Sequence, residues 1–192
     1  MVRMPLVRAA LAAIAVAATA LLAPAAPGAA TPSPPREHDV KAAFLYHFAQ
    51  LVDWPVGAAA PGAPFVIGVV GPDPFGSALD QALGGKFVRS LPIRLRRFGS
   101  VSALERARVH VLFVGGSDAG LHERALNGVS GRPVLTVGES DGFAERGGMI
   151  GFRVTREGRV GFDINARRAE QAGLRISSQL LKLARIVGPG RR

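Results

Sequence analysis

The chain has 192 residues, 24 Lys and Arg against 14 Asp and Glu, 48% hydrophobic residues and no cysteine. Its length suits one domain, and its apolar share, with ten Phe, is enough for a core and excludes a disordered basic tail. The missing cysteines exclude a disulfide scaffold, a Cys-ligated zinc or iron–sulfur site and a thiol nucleophile.

Residues 1–30 read as a secretory signal peptide: Arg3 and Arg8 form a basic start, Ala9 to Ala23 is apolar, and Gly28-Ala29-Ala30 offers small residues for cleavage. The apolar run falls short of the roughly 20 residues a membrane-spanning helix needs. Cleavage removes both arginines and leaves 22 basic against 14 acidic residues, a charge of +8, on an exported chain starting near Thr31. Residues 31–36, with three prolines, are expected to be a disordered arm, 37–188 the folded domain, and 189–192 a flexible basic tail.

Within that domain, Val40, Phe44, Phe48 and Leu51 recur at helical spacing and predict an amphipathic helix from Glu37 to Val52. Trp54-Pro55 closes it, and Gly57 to Pro64 is a linker rich in Ala, Gly and Pro. Phe65 to Val70 has no polar alternation, as expected of a strand covered on both faces in a parallel sheet. The pattern then alternates: helix Ser77–Leu83, strand Pro92–Arg96, helix Ala103–Arg108, strand Val109–Val114, helix Leu121–Val129, strand Pro133–Val137. Met149–Val154 and Arg159–Ile164 flank Glu157-Gly158 as a hairpin. After the expected cap Asn165, apolar residues from Ala169 to Val187 keep helical spacing and predict one long final helix. The fold class is therefore α/β: a single domain with a mostly parallel sheet flanked by helices, a C-terminal β-hairpin and a long C-terminal helix.

Two motifs invite a catalytic reading and neither survives inspection. Gly71 to Gly76 has P-loop spacing after a strand, but Ser77-Ala78 stand where Lys and Ser or Thr are required, and Asp73 places negative charge where an anion would sit. What remains is a loop at the carboxyl end of a strand, where open α/β sheets tend to bind ligands. Gly138-Glu139-Ser140-Asp141-Gly142 matches a hydrolase nucleophile elbow, yet His38, His47, His110 and His122 all precede the serine and none sits in a recognisable catalytic context. The histidines also lack metal-ligand spacing, and His47 is expected to be partly buried and hydrogen-bonded. The strand ending at Gly115-Gly116 has no terminal aspartate to act as a phosphoacceptor. Spacing supports no metal, cofactor or catalytic residue.

The positive charge is scattered over Arg94, Arg96 and Arg97, over Arg153, Arg156 and Arg159, and over the last helix, with no run longer than two. Interleaved aromatics and a reading helix are missing, so nucleic acid is not the expected partner. Anionic lipid head groups, an acidic protein surface and a phosphorylated small ligand stay open. Arginine supplies 21 of the 24 positive residues, which favours planar bidentate contacts.

Three blocks resemble the YfiR family of exported bacterial proteins: Lys41-Ala42-Ala43-Phe44-Leu45-Tyr46-His47-Phe48-Ala49 with Trp54-Pro55, Phe65 to Gly71 with Pro74-Phe75-Gly76, and the segment from Leu135 to Ala184. The last contains Gly147-Gly148-Met149-Ile150, Phe162-Asp163-Ile164-Asn165 and Ala172 to Ser178. The resemblance implies a periplasmic regulator that represses an inner-membrane diguanylate cyclase through the cyclase's periplasmic domain, lowering cyclic-di-GMP signalling and biofilm formation without catalysis. It also implies an outer-membrane lipoprotein as antagonist, and a homodimer is expected. A small-ligand sensor component acting on a sensor kinase or an outer-membrane uptake system is the alternative. Family members carry cysteines, one of them just before the His-Val-Leu-Phe strand; Val109 stands there, so disulfide control cannot operate in this chain. For partner or ligand contact the candidates are Trp54, Pro72, Asp73, Pro74, Phe75, Ser77, Arg175 and Lys182. Gly147, Gly148, Asn165, Ser177 and Ser178 are expected to serve structure, the serine pair lying mid-helix.

Overall fold

The computed structural model describes residues 36–60 and 62–188. The expected leader, most of the arm and the basic tail lie outside these residues. Helix α1, Glu37–Leu51, opens the fold, with Glu37 and Asp39 complementing the positive end of the helix dipole. Its fully buried face is Ala42, Leu45, Phe48 and Ala49, joined by Lys41. Val40, Phe44 and Leu51, expected inside, are only half-buried, and His47 is exposed instead of partly buried. Half-buried Phe44 packs against Phe48, Phe152 and Phe162, with ring centroids 5.9, 6.3 and 5.2 Å away.

A two-residue strand β1, Val52–Asp53, follows α1, and β2, Phe65–Val70, runs through the core with all six residues buried. Beyond it come α2, Ser77–Leu83, then β3, Phe87–Val88, and β4, Leu91–Phe98. The remaining βα pairs are α3, Val101–Glu105, β5, Val111–Val114, α4, Ala119–Gly128, and β6, Leu135–Gly138. The hairpin is β7, Ile150–Val154, and β8, Val160–Ile164, turned at Gly158 with φ +75°. These strands form an eight-stranded sheet ordered β10-β8-β7-β6-β5-β2-β4-β3, in which β10 is Arg185–Ile186. β4, β2, β5, β6 and β7 are parallel, β8 pairs antiparallel with β7, and β3 with β4.

Side chains alternate across a strand, so β2 and β5 feed two cores. Phe65, Ile67, Val69, Val111 and Phe113 join α1 and α2 on one face. Val66, Val70, Leu112 and Val114 join Leu104 of α3 and Ala125 of α4 on the other. Among the described residues no helix is long and apolar enough to cross a membrane.

The C-terminal segment is helical only in pieces, not the single long helix its spacing predicts. Helix α5, Ala166–Gln171, ends where Gly173 takes φ +75° and Leu174 N–H closes onto the Ala169 carbonyl. Strand β9, Arg175–Ile176, then pairs antiparallel with β1, and Ser177 N–H bonds the Leu51 carbonyl. Helix α6, Ser178–Leu183, restarts from Ser177, and β10 follows it at the edge of the large sheet. Pairing with β1 satisfies backbone groups that a continuous helix would leave α1 without, so tertiary hydrogen bonds override helical spacing. Ser177 is consequently not mid-helix; it is the N-cap, its hydroxyl accepting from Leu180 N–H at 3.3 Å, and Ser178 is the first helical residue.

Candidate functional site

At the amino ends of the parallel strands, Trp54 leaves β1 and packs edge-on against Phe65, the first residue of β2, with ring centroids 5.0 Å apart at 89°. The β1–β9 ladder sets Asp53 opposite Arg175, and the Asp53 carboxylate accepts from Arg89 in the β3–β4 turn. Half-buried Trp54 and exposed Arg175, 121 residues apart in the chain, therefore share one end of the fold. Lys182 is exposed on α6 near two strongly exposed apolar side chains, Leu183 and Ile186.

The Pro72–Ser77 loop lies at the carboxyl end of β2, about 17 Å away along the strand at roughly 3.3 Å per residue. The Pro72 carbonyl packs onto Gly115: a Cβ there would stand 1.7 Å from the Pro72 oxygen. Phe75 is buried edge-on against Phe113 and anchors the loop from beneath. Asp73 accepts from Phe75 N–H at 2.8 Å and from Arg97 Nε at 2.7 Å, while Arg97 also reaches Asp80 at 2.7 Å and the Gly76 carbonyl at 2.8 Å. The hydrogen bonds that Arg97 donates to Asp80 and Asp73 push its pKa further up, and the same contact lowers that of Asp80. Pro74 is half-buried, and Ser77, the first residue of α2, is exposed. The named contact candidates thus fall on two ends of the sheet, with Trp54 and Arg175 at one and the loop at the other.

The residues expected to serve structure are explained by their surroundings. Gly147 has φ +104°, and a Cβ on Gly148 would stand 2.2 Å from the Phe143 ring. Asn165 caps α5 by accepting from Arg168 N–H at 3.1 Å and donates to the Ala144 carbonyl at 2.9 Å.

Two polar clusters escape sequence reading. Buried Lys41 donates to Glu37 at 2.5 Å and to Glu139 at 3.0 Å, tying α1 to the end of β6. Burial opposes its charge, but the two carboxylates outweigh this and raise its pKa. Glu37 at i−4 was the available signal; Glu139, 98 residues away, had none. The second cluster joins Ser140 to His122, a pair 18 residues apart in the chain. His122 Nε2 donates to the Gly116 carbonyl at 2.9 Å, which turns Nδ1 toward Ser140 Oγ at 3.3 Å, and Arg146 donates to that oxygen at 3.0 Å. The group orienting His122 is a backbone carbonyl, so these bonds clamp the 138–147 loop onto α4.

The YfiR/HmsC-like family model matches residues 38–185. The chain belongs to the YfiR/HmsC-like family. Among curated proteins nothing matches it. The match covers α1 through the first residue of β10, so both ends of the sheet lie within the family's domain. Membership supports a periplasmic regulator of diguanylate cyclase signalling, in a family that is regulatory rather than catalytic.

Proposed function

We propose that this protein represses an inner-membrane diguanylate cyclase by binding the cyclase's periplasmic domain, and so lowers cyclic-di-GMP. The observation that carries the reading is family membership over residues 38–185. Repression is a linkage effect: a protein that binds the inactive arrangement of the cyclase more tightly than the active one shifts the equilibrium by that difference in affinity. No bond is made or broken by the repressor.

Trp54, Arg175 and Lys182 supply an aromatic and two exposed cations, the residue types that anchor interfaces to an acidic protein face. The Pro72–Ser77 loop offers Pro72, Asp73, Pro74 and Ser77 as a second contact, held rigid by Phe75 and Arg97. An outer-membrane lipoprotein that competes for the same surfaces releases the cyclase, and the repressor works as a homodimer after its signal peptide, residues 1–30, is removed. Deleting the protein raises cellular cyclic-di-GMP in a strain that retains the cognate cyclase and leaves it unchanged in a strain lacking that cyclase. An unchanged level in the cyclase-positive strain refutes the proposal.

A further inference from the structure

Between α4, the loop that leaves β6 and the start of α5 lies an open cleft of about 480 Å³, lined by two arginines, Arg146 and Arg168. Arg146 gives one hydrogen bond, to Ser140 Oγ at 3.0 Å, and Arg168 a long one, to Gln171 Oε1 at 3.5 Å. Among the described residues no carboxylate pairs with either guanidinium. The acids around them are engaged elsewhere: Glu145 with Arg185 at 3.6 Å, Glu139 with Lys41 at 3.0 Å, and Asp118 with the Gly120 and Leu121 N–H groups that open α4. Exposed Glu123 is the one carboxylate lining the cleft, so two positive charges face one negative. A shallower groove continues past Arg168 toward Val129, Arg132 and Gln171, and no acid lines that part.

A guanidinium carries five N–H donors and stays charged. Arg168 is half-buried, and a charge drawn partly out of water with no acid to meet it is at a cost that a bound anion offsets. His122 also lines the cleft, but its ring nitrogens are bonded to the Gly116 carbonyl and Ser140 Oγ, which leaves recognition to the arginines. Each guanidinium fork matches a pair of oxygens. One carboxylate fills one fork; a second carboxylate, or a phosphate with its larger set of oxygens, serves both and balances both charges. Leu126 and Ala119 supply an apolar wall, and the volume is in the range of small-molecule sites.

We propose that this cleft binds a small organic dianion, a phosphate monoester or a dicarboxylate, whose oxygens accept from Arg146 and Arg168 and whose carbon portion lies on Leu126 and Ala119. The site is independent of the cyclase reading, because it shares no residue with the contact candidates Trp54, Arg175 and Lys182 or with the Pro72–Ser77 loop.

Phenyl phosphate and phthalate, titrated separately into the mature chain at pH 7.5 by calorimetry, give saturable binding that weakens as salt rises, and the tighter of the two tells a phosphate-ester site from a dicarboxylate site. Benzoate, with one charge, binds at least about tenfold more weakly, and neutral benzamide does not bind. Arg168→Gln and Arg146→Gln each weaken the tighter probe about tenfold, the loss of one charge-assisted hydrogen bond, while both proteins still melt cooperatively. Glu123→Gln removes the opposing carboxylate and strengthens binding about threefold. Arg94→Gln, on β4, which does not line the cleft, removes the same charge and leaves binding unchanged. The proposal is overturned if neither dianion binds saturably, if benzoate binds as tightly, or if either cleft variant binds undiminished. It is overturned equally by an Arg94→Gln loss as large as that of Arg168→Gln, which is what diffuse attraction to a basic chain produces.

Discussion

Gly148→Ala tests the packing that shapes the 138–148 loop. The added Cβ would stand 2.2, 2.3 and 2.9 Å from three carbons of the Phe143 ring, where ordinary carbon contacts are about 3.5–4.0 Å. The ring must therefore retreat by more than about 1 Å. Two sides are closed to it: Gly138 lies close enough that a Cβ there would be 2.5 Å away, and His122 meets the 2%-exposed ring edge-on at 5.5 Å. Overpacking of a filled core costs about 1–3 kcal/mol, and a ring held on both sides puts this site at the upper end. For a domain of this size each kcal/mol lowers the melting temperature by about 2–4 °C, so a drop of about 6–12 °C is expected by calorimetry. Gly99→Ala is the control, since nothing lies within 4 Å of its Cβ, and it melts like the parent. Adding Phe143→Leu to Gly148→Ala removes part of the obstructing ring, so the double variant is more stable than the sum of the two single effects. Gly148→Ala melting within about 2 °C of the parent, or strict additivity in the double variant, refutes the reasoning.

Ser177→Ala removes the cap of α6 and costs about 1 kcal/mol, read as a melting-temperature drop of about 2–4 °C. His110 makes stability depend on pH: burial depresses its folded pKa below the unfolded value near 6.5, so the unfolded chain binds the extra proton first. Stability is accordingly full above about pH 6.5 and falls below it, by at most about 1.4 kcal/mol per pH unit, until the folded-state pKa is passed. Urea unfolding at pH 7.5, 6.5 and 5.5 shows this fall in the parent and a shallower one in His110→Asn, whose side-chain oxygen keeps the acceptor for Val66 N–H; parallel curves contradict it. Arg175→Glu with Lys182→Glu leaves the melting temperature unchanged but weakens pull-down of the cyclase's periplasmic domain and raises cyclic-di-GMP toward the level of the deletion.

The elements read correctly from sequence are those whose causes are local. β2 and α2 match their expected bounds because an uninterrupted apolar run ends at Gly71 and helical spacing resumes at Ser77. The β7–β8 hairpin was marked by Gly158, and the cap of α5 by Asn165. The β3–β4 hairpin was missed because Arg89 and Ser90 both take positive φ, 47° and 68°, in a turn that ordinarily carries Gly or Asn. The binding candidates were legible as residue types, but their grouping was not: Arg175 is brought opposite Asp53, next to Trp54 in the chain, only through β1 and β9, two residues each and too short to leave a periodic signal. Ser140 with His122, and Lys41 with Glu139, are likewise pairs made across the sheet.

By itself the sequence determined the α/β class, the order of its βα units, the resemblance that family membership bears out, and the exclusion of thiol and disulfide chemistry. Those follow from composition, from period and from residues adjacent in the chain. The tertiary structure alone decided which face of α1 is buried, where the C-terminal helix breaks, and that Lys41 meets Glu139 across the fold. These depend on which backbone and side-chain groups find partners at long range, and helical spacing yields wherever a strand across the fold can satisfy hydrogen bonds that a helix would leave open.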